Sequence, residues 1–196
     1  MIIGVDFDNT IADYTGVFYN VALDLGWIPV SVGQSKNEVK AYFIERGTEP
    51  KWTELQGIVY GKEIHRAKPY QHCLAALQML KSKGHSLFLV SHKTRYPIIG
   101  DKIDLHLAAQ SWLHQNNFIG EDSSIFTPDT LFFNETKDLK LAKISELNCD
   151  IFIDDLESIL THEKFPSECK AILFKQEPVI NIMYQLKSWS EIDTHI

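Results

Sequence analysis

A chain of 196 residues that is 44% hydrophobic can bury a full core, as one domain or as one domain with an insertion. Its net charge of −7, with no run of lysine or arginine, argues against a nucleic-acid groove or a membrane surface as partner. Cys73, Cys149 and Cys169 are odd in number and lack CxxC spacing, the N-terminal apolar stretch is too short for an export signal, and no segment approaches bilayer-spanning length; reduced, buried thiols in a cytoplasmic protein are expected.

The first element is the most informative. Ile2, Ile3 and Val5 form a short β-branched run suited to a buried parallel strand, and it stops at Asp6-Phe7-Asp8-Asn9-Thr10, residues that favour turns. With a side-chain period of two, Asp6 and Asp8 point to the same side if strand geometry continues. Two like charges held so close need a cation or one shared proton.

Residues 14–69 then hold three helix-like pieces, 14–25, 35–46 and 51–66, separated by Trp27-Ile28-Pro29 and Gly47-Thr48-Glu49-Pro50. An interval of about 55 residues exceeds the usual connection several-fold, which predicts an inserted helical cap at 14–69 and a core made of 1–13 and 70–196. Beyond it, a helix is expected over 69–83, opened by Pro69 and closed by Gly84, followed by a strand at Ser86–Ser91. A helix over 103–116, a strand at 130–134 and a helix over 137–147 come next, the last with Leu139, Ala142, Ile144 and Leu147 on its apolar face. Strands at 150–154 and 170–174 follow, and Val179 to Trp189 reads as a closing helix. Strands alternating with helices predict an α/β fold, a doubly wound, mostly parallel five-stranded sheet with crossover helices.

In such sheets ligands bind outside the carboxyl ends of the strands, at the switch point. Ser91 ends the second strand and Asp154-Asp155 the fourth, so both arrive at the edge that carries Asp6. Lys137, Lys140 and Lys143 compete for the same edge. A helix runs away from the strand it follows, which favours Lys137, leaves Lys140 second and makes Lys143, six residues further on and about 9 Å more distant, a surface charge. The eight histidines do not fall at zinc-ligand spacings.

Asp6-x-Asp8-x-Thr10, Ser91 after an apolar strand, Lys137 ahead of a helix, and Asp154-Asp155 after Ile-Phe-Ile resemble the four motifs of the haloacid dehalogenase-like (HAD) hydrolase superfamily, in order and over nearly the whole chain. The resemblance implies a Rossmann-like sheet of order 5-4-1-2-3, with a helical cap inserted after the first motif. It implies phosphoryl transfer from a small phosphorylated metabolite, a sugar phosphate or a nucleotide monophosphate, with Mg²⁺ as cofactor. Asp6 would be the nucleophile and Asp8 the acid and base. Ser91 and Lys137, with Thr10 and His92 beside them, would hold the phosphoryl oxygens. Asp6, the Asp8 backbone carbonyl and an acid of the Asp154-Asp155 pair would hold the metal; which acid touches it stays open.

Asp8 favours phosphate esters over halides, because halide leaves without a proton. Three rivals share these features: a phosphotransferase or mutase, a silent phospho-ligand-binding module, and a receiver-type regulatory module. The last is disfavoured, since such modules place the acidic pair on the first strand and need no cap.

Overall fold

The apolar runs become a parallel sheet in the computed structural model, which describes residues 1–120, 125–179 and 184–196. Its strands are β1 (Ile2–Val5), β2 (Ser86–His92), β3 (Leu131–Asn134), β4 (Ile151–Asp154), β5 (Lys170–Phe174) and β6 (Gln185–Leu186). They lie in the order β3-β2-β1-β4-β5-β6, and every pairing is parallel. The five expected strands thus occupy the expected sequence, and a sixth extends the sheet at one edge.

That sixth strand corrects the reading of Val179 to Trp189 as a closing helix. Residues 180–183 lie outside the described residues, but Gln185–Leu186 pair with Leu173 and Phe174, and a 3₁₀ helix follows at Trp189–Thr194. The Gln185 side-chain amide donates to the carbonyls of Lys175 and Glu177, and its oxygen accepts from the Val179 N–H. A short apolar run does not distinguish helix from strand by periodicity, and here the open edge of β5 supplies the backbone partners that decide it.

The helices are α1 (Val17–Asp24), α2 (Lys36–Glu45), α3 (Glu49–Tyr60), α4 (Cys73–Ser82), α5 (Leu105–Gln115), α6 (Lys137–Glu146) and α7 (Glu157–Leu160). None among the described residues is long and apolar enough to cross a membrane. On one face of the sheet, Val90, Phe152 and Leu173 pack with Leu141 and Ile144 of α6 and with Ile159 and Leu160 of α7.

The chain divides into two compact units: Met1–Asp13 with Pro69–Lys93 and Leu113–Ile196, and Tyr14–Lys68 with Thr94–Trp112. The first contains the sheet. The second is built on α1, α2 and α3, where the Phe18 ring centre lies 5.2 Å from that of Trp52 and meets Tyr60 edge-on at 5.5 Å. Ser35 starts α2 with a capping box to Glu38, two reciprocal bonds that satisfy otherwise orphaned donors.

Residues 94–112 join this second unit through α3. A Cβ on Gly57 would stand 2.7 Å from Pro97 Cβ, so only glycine admits the loop so close, and the Trp112 Nε1–H donates to the Ala67 carbonyl at 3.0 Å. The chain therefore passes between the units four times, where the sequence suggested two crossings around 14–69.

Gly4, in the central strand, meets a similar constraint. A Cβ there would lie 2.5 Å from the fully buried Phe152 ring and 3.1 Å from Cys149 Sγ. Gly4→Ala should cost about 1–3 kcal/mol, read as a lower urea midpoint at an unchanged m-value. An unchanged midpoint would mean that the Phe152 ring yields freely.

Candidate active site

Register brings the predicted acids level. Val5 of β1 pairs with Leu89 of β2 and Ile153 of β4, and the Asp6 N–H extends the ladder by donating to the Ile153 carbonyl at 2.9 Å. Asp6 and Asp154 therefore emerge side by side at the carboxyl edge, on either side of the switch between β1 and β4. After Asp6 the chain wraps around one carbonyl: the N–H groups of Ile11 and Ala12 both donate to Phe7 O at 3.0 Å. Asn9 turns the loop at φ +59°, a left-handed conformation that Asn tolerates better than most residues. The Trp189 Nε1–H donates to the Thr10 carbonyl at 2.9 Å and anchors the loop from the C-terminal segment.

Of the three candidate lysines on α6, Lys140 reaches the acids. Its Nζ lies 2.6 Å from Asp6 Oδ1 and 2.6 Å from Asp154 Oδ2, with 1% of the side chain exposed. Lys137 is exposed instead, with Nζ 3.4 Å from Ser158 Oγ.

The reason is geometric. Thr136 caps α6, so Lys137 is its first residue, and helical side chains lean toward the N-terminus. A lysine one turn inside therefore reaches back to the strand ends. The apolar stripe of α6 is also rotated from the expected one: Lys140, Leu141 and Ile144 are buried, while Leu139 is 53% exposed. The sequence favoured Lys137; a stripe through Lys140, Leu141 and Ile144 is the signal that would have picked Lys140.

Burial pushes the Asp6 carboxyl up to about 7; the Lys140 ammonium opposes this, and the carboxylates of Asp154 and Asp8 add to it. Burial also works against the charge of Lys140, but Asp6 and Asp154 outweigh it and hold the ammonium above its ordinary value. The second oxygen of Asp154 accepts the Leu156 N–H at 2.9 Å, which fixes that carboxylate.

Asp6, Asp154 and Asp155 each offer an oxygen, and these three oxygens lie within 4.8 Å of one another. An all-oxygen, all-carboxylate donor set suits a hard divalent cation, whose charge would favour the ionised form of Asp6. The Asp8 side chain is not part of this trio. It turns to Lys93, whose Nζ lies 2.7 Å from Asp8 Oδ2 with 3% of the lysine side chain exposed. From sequence, Lys93, which follows Ser91 at the active edge, reads either as a group that touches substrate or as a surface loop charge. Period-two arithmetic could have found it, because Lys93 N–H donates to Asn134 O and continues the β2–β3 ladder, placing Lys93 on the side of Ser91.

Thr10 and Ser91 are buried, at 0% and 1% exposure, and no hydrogen bond satisfies either side-chain oxygen among the described residues. An unsatisfied buried hydroxyl costs about 1–3 kcal/mol, so each calls for an explanation. His92 is exposed at the end of β2. Partial burial, then the ammonium groups of Lys140, Lys137 and Lys93, lower its pKa, against an opposing bond to the Glu135 backbone.

Exchanging the two candidate lysines separates them. Lys140→Met leaves two buried carboxylates without their cation and should cost about 3 kcal/mol of unfolding free energy, part of it recovered by a divalent metal. Lys137→Met should stay within about 0.5 kcal/mol of the native chain. Equal losses in denaturant unfolding would contradict the assignment of Lys140 to the site.

The sequence matches no family model and no curated protein. Solved structures do share its architecture. A "predicted phosphatase" from Clostridium acetobutylicum superposes with TM-score 0.63 at 18% identity, covering 99% of this chain and 96% of that one. A "predicted phosphoglycolate phosphatase" from Haemophilus somnus 129PT gives TM-score 0.61 at 12% identity, over 99% and 96%. A HAD family hydrolase from Deinococcus radiodurans R1, solved with bound phosphate and sodium, gives 0.56 at 12%, over 99% and 93%. At such identities the likeness shows a shared architecture, that of solved structures named as phosphatases and as a HAD family hydrolase.

Proposed function

We propose that this chain is a Mg²⁺-dependent phosphatase that removes the phosphate of a small phosphorylated metabolite, a sugar phosphate or nucleotide monophosphate, through a covalent phosphate on Asp6. The observation that carries the reading is the edge itself: three carboxylates within 4.8 Å, the buried Lys140 between two of them, and two buried hydroxyls with no partner among the described residues. The names of the structural neighbours, phosphatases and HAD hydrolases, agree with it.

Asp6 attacks phosphorus. A carboxylate suits the task because it is a nucleophile in its ionised form and the acyl phosphate it makes is readily hydrolysed. Lys140 holds one Asp6 oxygen and carries positive charge into the region where the phosphoryl oxygens gather. Ser91 Oγ and Thr10 Oγ1 have hydrogen-bonding capacity to spare for those oxygens. Asp8 gives a proton to the departing alcohol, then takes one from the water that releases inorganic phosphate from Asp6. When bound by Asp6, Asp154 and Asp155, Mg²⁺ supplies charge that offsets repulsion between the Asp6 carboxylate and the phosphate dianion.

The expected result is Mg²⁺-supported release of inorganic phosphate from an aryl phosphate and from a panel of sugar and nucleoside phosphates, abolished by EDTA. Asp6→Asn should lower turnover roughly 10³-fold or more, since an amide cannot form the covalent intermediate. Full activity after chelation would remove the metal, and near-native turnover by Asp6→Asn would remove Asp6 as nucleophile.

A further inference from the structure

Lys93 is a second buried ammonium at the edge of the sheet, and the chemistry described so far gives it no task. Lysine is almost never buried unless it is paired, so its place calls for a reason. The two lysines divide the acids: Lys140 bridges Asp6 and Asp154, and Lys93 takes Asp8. Lys93 is held firmly enough to act as a fixed point. Its backbone N–H donates to Asn134 O at 2.9 Å, and its ammonium lies 5.5 Å from the centre of the Phe7 ring. Asp8, by contrast, stands on a loop that turns at Asn9 immediately after it.

We propose that Lys93 is a positioning residue that orients the Asp8 carboxyl group for proton transfer to the departing alcohol. The inference rests on the phosphatase reading above. An ammonium only donates hydrogen bonds, so Oδ2 of Asp8, 2.7 Å from Lys93 Nζ, only accepts, and the transferable proton is confined to Oδ1. The contact also fixes the plane of the carboxyl group, and with it the direction of Oδ1. In the step concerned, an Asp6 oxygen bonds to phosphorus as the bond from phosphorus to the ester oxygen breaks. The ester oxygen keeps the electron pair and takes the Oδ1 proton, which leaves an alcohol and the Asp8 carboxylate against Lys93. Proton transfer of this kind depends steeply on orientation.

The test compares the native chain with Lys93→Met and Lys93→Arg by kcat/KM, with Mg²⁺, on p-nitrophenyl phosphate and on simple alkyl phosphates. This constant covers events only as far as loss of the alcohol, so later hydrolysis of the phosphoenzyme does not enter. Nitrophenolate leaves without a proton and an alkoxide does not. Lys93→Met should lose about tenfold or more on alkyl esters and less than about threefold on the nitrophenyl ester, with Lys93→Arg restoring most of the alkyl loss. In an Asp8→Asn background, Lys93→Met should cause no further loss on alkyl esters, because a residue that acts through Asp8 has nothing left to act on.

An equal loss on all esters would reduce Lys93 to a structural role, and a loss confined to KM and to inhibition by inorganic phosphate would make it a substrate-binding group; either overturns the proposal. If circular dichroism shows Lys93→Met unfolded, the double variant, in which both members of the Lys93–Asp8 pair are neutral, is compared with Asp8→Asn, and an added loss on alkyl esters overturns it equally. A native chain inactive on every ester overturns the phosphatase reading itself, a failure distinct from all of these.

Discussion

A lysine with 1% of its side chain exposed is among the most costly groups a small protein can bury, and Lys140 is tolerable only because a carboxylate stands 2.6 Å away on each of two strands. That bridge ties three elements together: β1 through Asp6, β4 through Asp154, and α6 through the lysine itself. Well-packed apolar residues usually hold such a place at no loss of stability, so stability alone does not account for it. What the bridge does provide is order. Two carboxylates at the switch point are held in fixed orientations, with Asp154 further constrained by the Leu156 N–H, and a site organised in advance needs little rearrangement when charge moves.

Lys140 bridges Asp6 and Asp154, Lys93 pairs with Asp8, and Asp155 brings a third carboxylate oxygen within 4.8 Å of those of Asp6 and Asp154, where a divalent cation would add positive charge. Burial raises the Asp6 carboxyl to about 7 with the protein's own charges alone, and added positive charge would favour the carboxylate that nucleophilic attack requires. Among the described residues the buried hydroxyls of Thr10 and Ser91 lack hydrogen-bond partners, so they have capacity for the oxyanion that the proposed function calls for.

Most of the sheet was legible because its evidence is local. A run such as Ile151-Phe152-Ile153 ending at Asp154 declares both a buried strand and the end that matters. The same logic places Asp6, Ser91 and the Asp154-Asp155 pair at one edge from sequence alone. Legibility failed where the answer depended on the phase of a helix or on a partner far away in sequence. Leu139 and Ile144 suggested one face for α6, and burial chose another, taking Lys140 inside. Gln185–Leu186 became a strand because β5 had an open edge, which no pattern inside 179–189 records. The attachment of 94–112 to α3 rests on a missing side chain at Gly57 and on one indole bond from Trp112.

That attachment bears on how such a protein diversifies. Helical insertions are natural units of exchange by recombination, since a contiguous segment can be replaced without touching the sheet. Here the unit built on α1, α2 and α3 is not contiguous, because residues 94–112 belong to it as well. A recombinant that received 14–68 from another lineage would set a foreign helix against Pro97 and leave the Trp112 indole N–H without the Ala67 carbonyl. The two segments are therefore bound to be inherited as a pair, and substitutions in one should be matched by substitutions in the other.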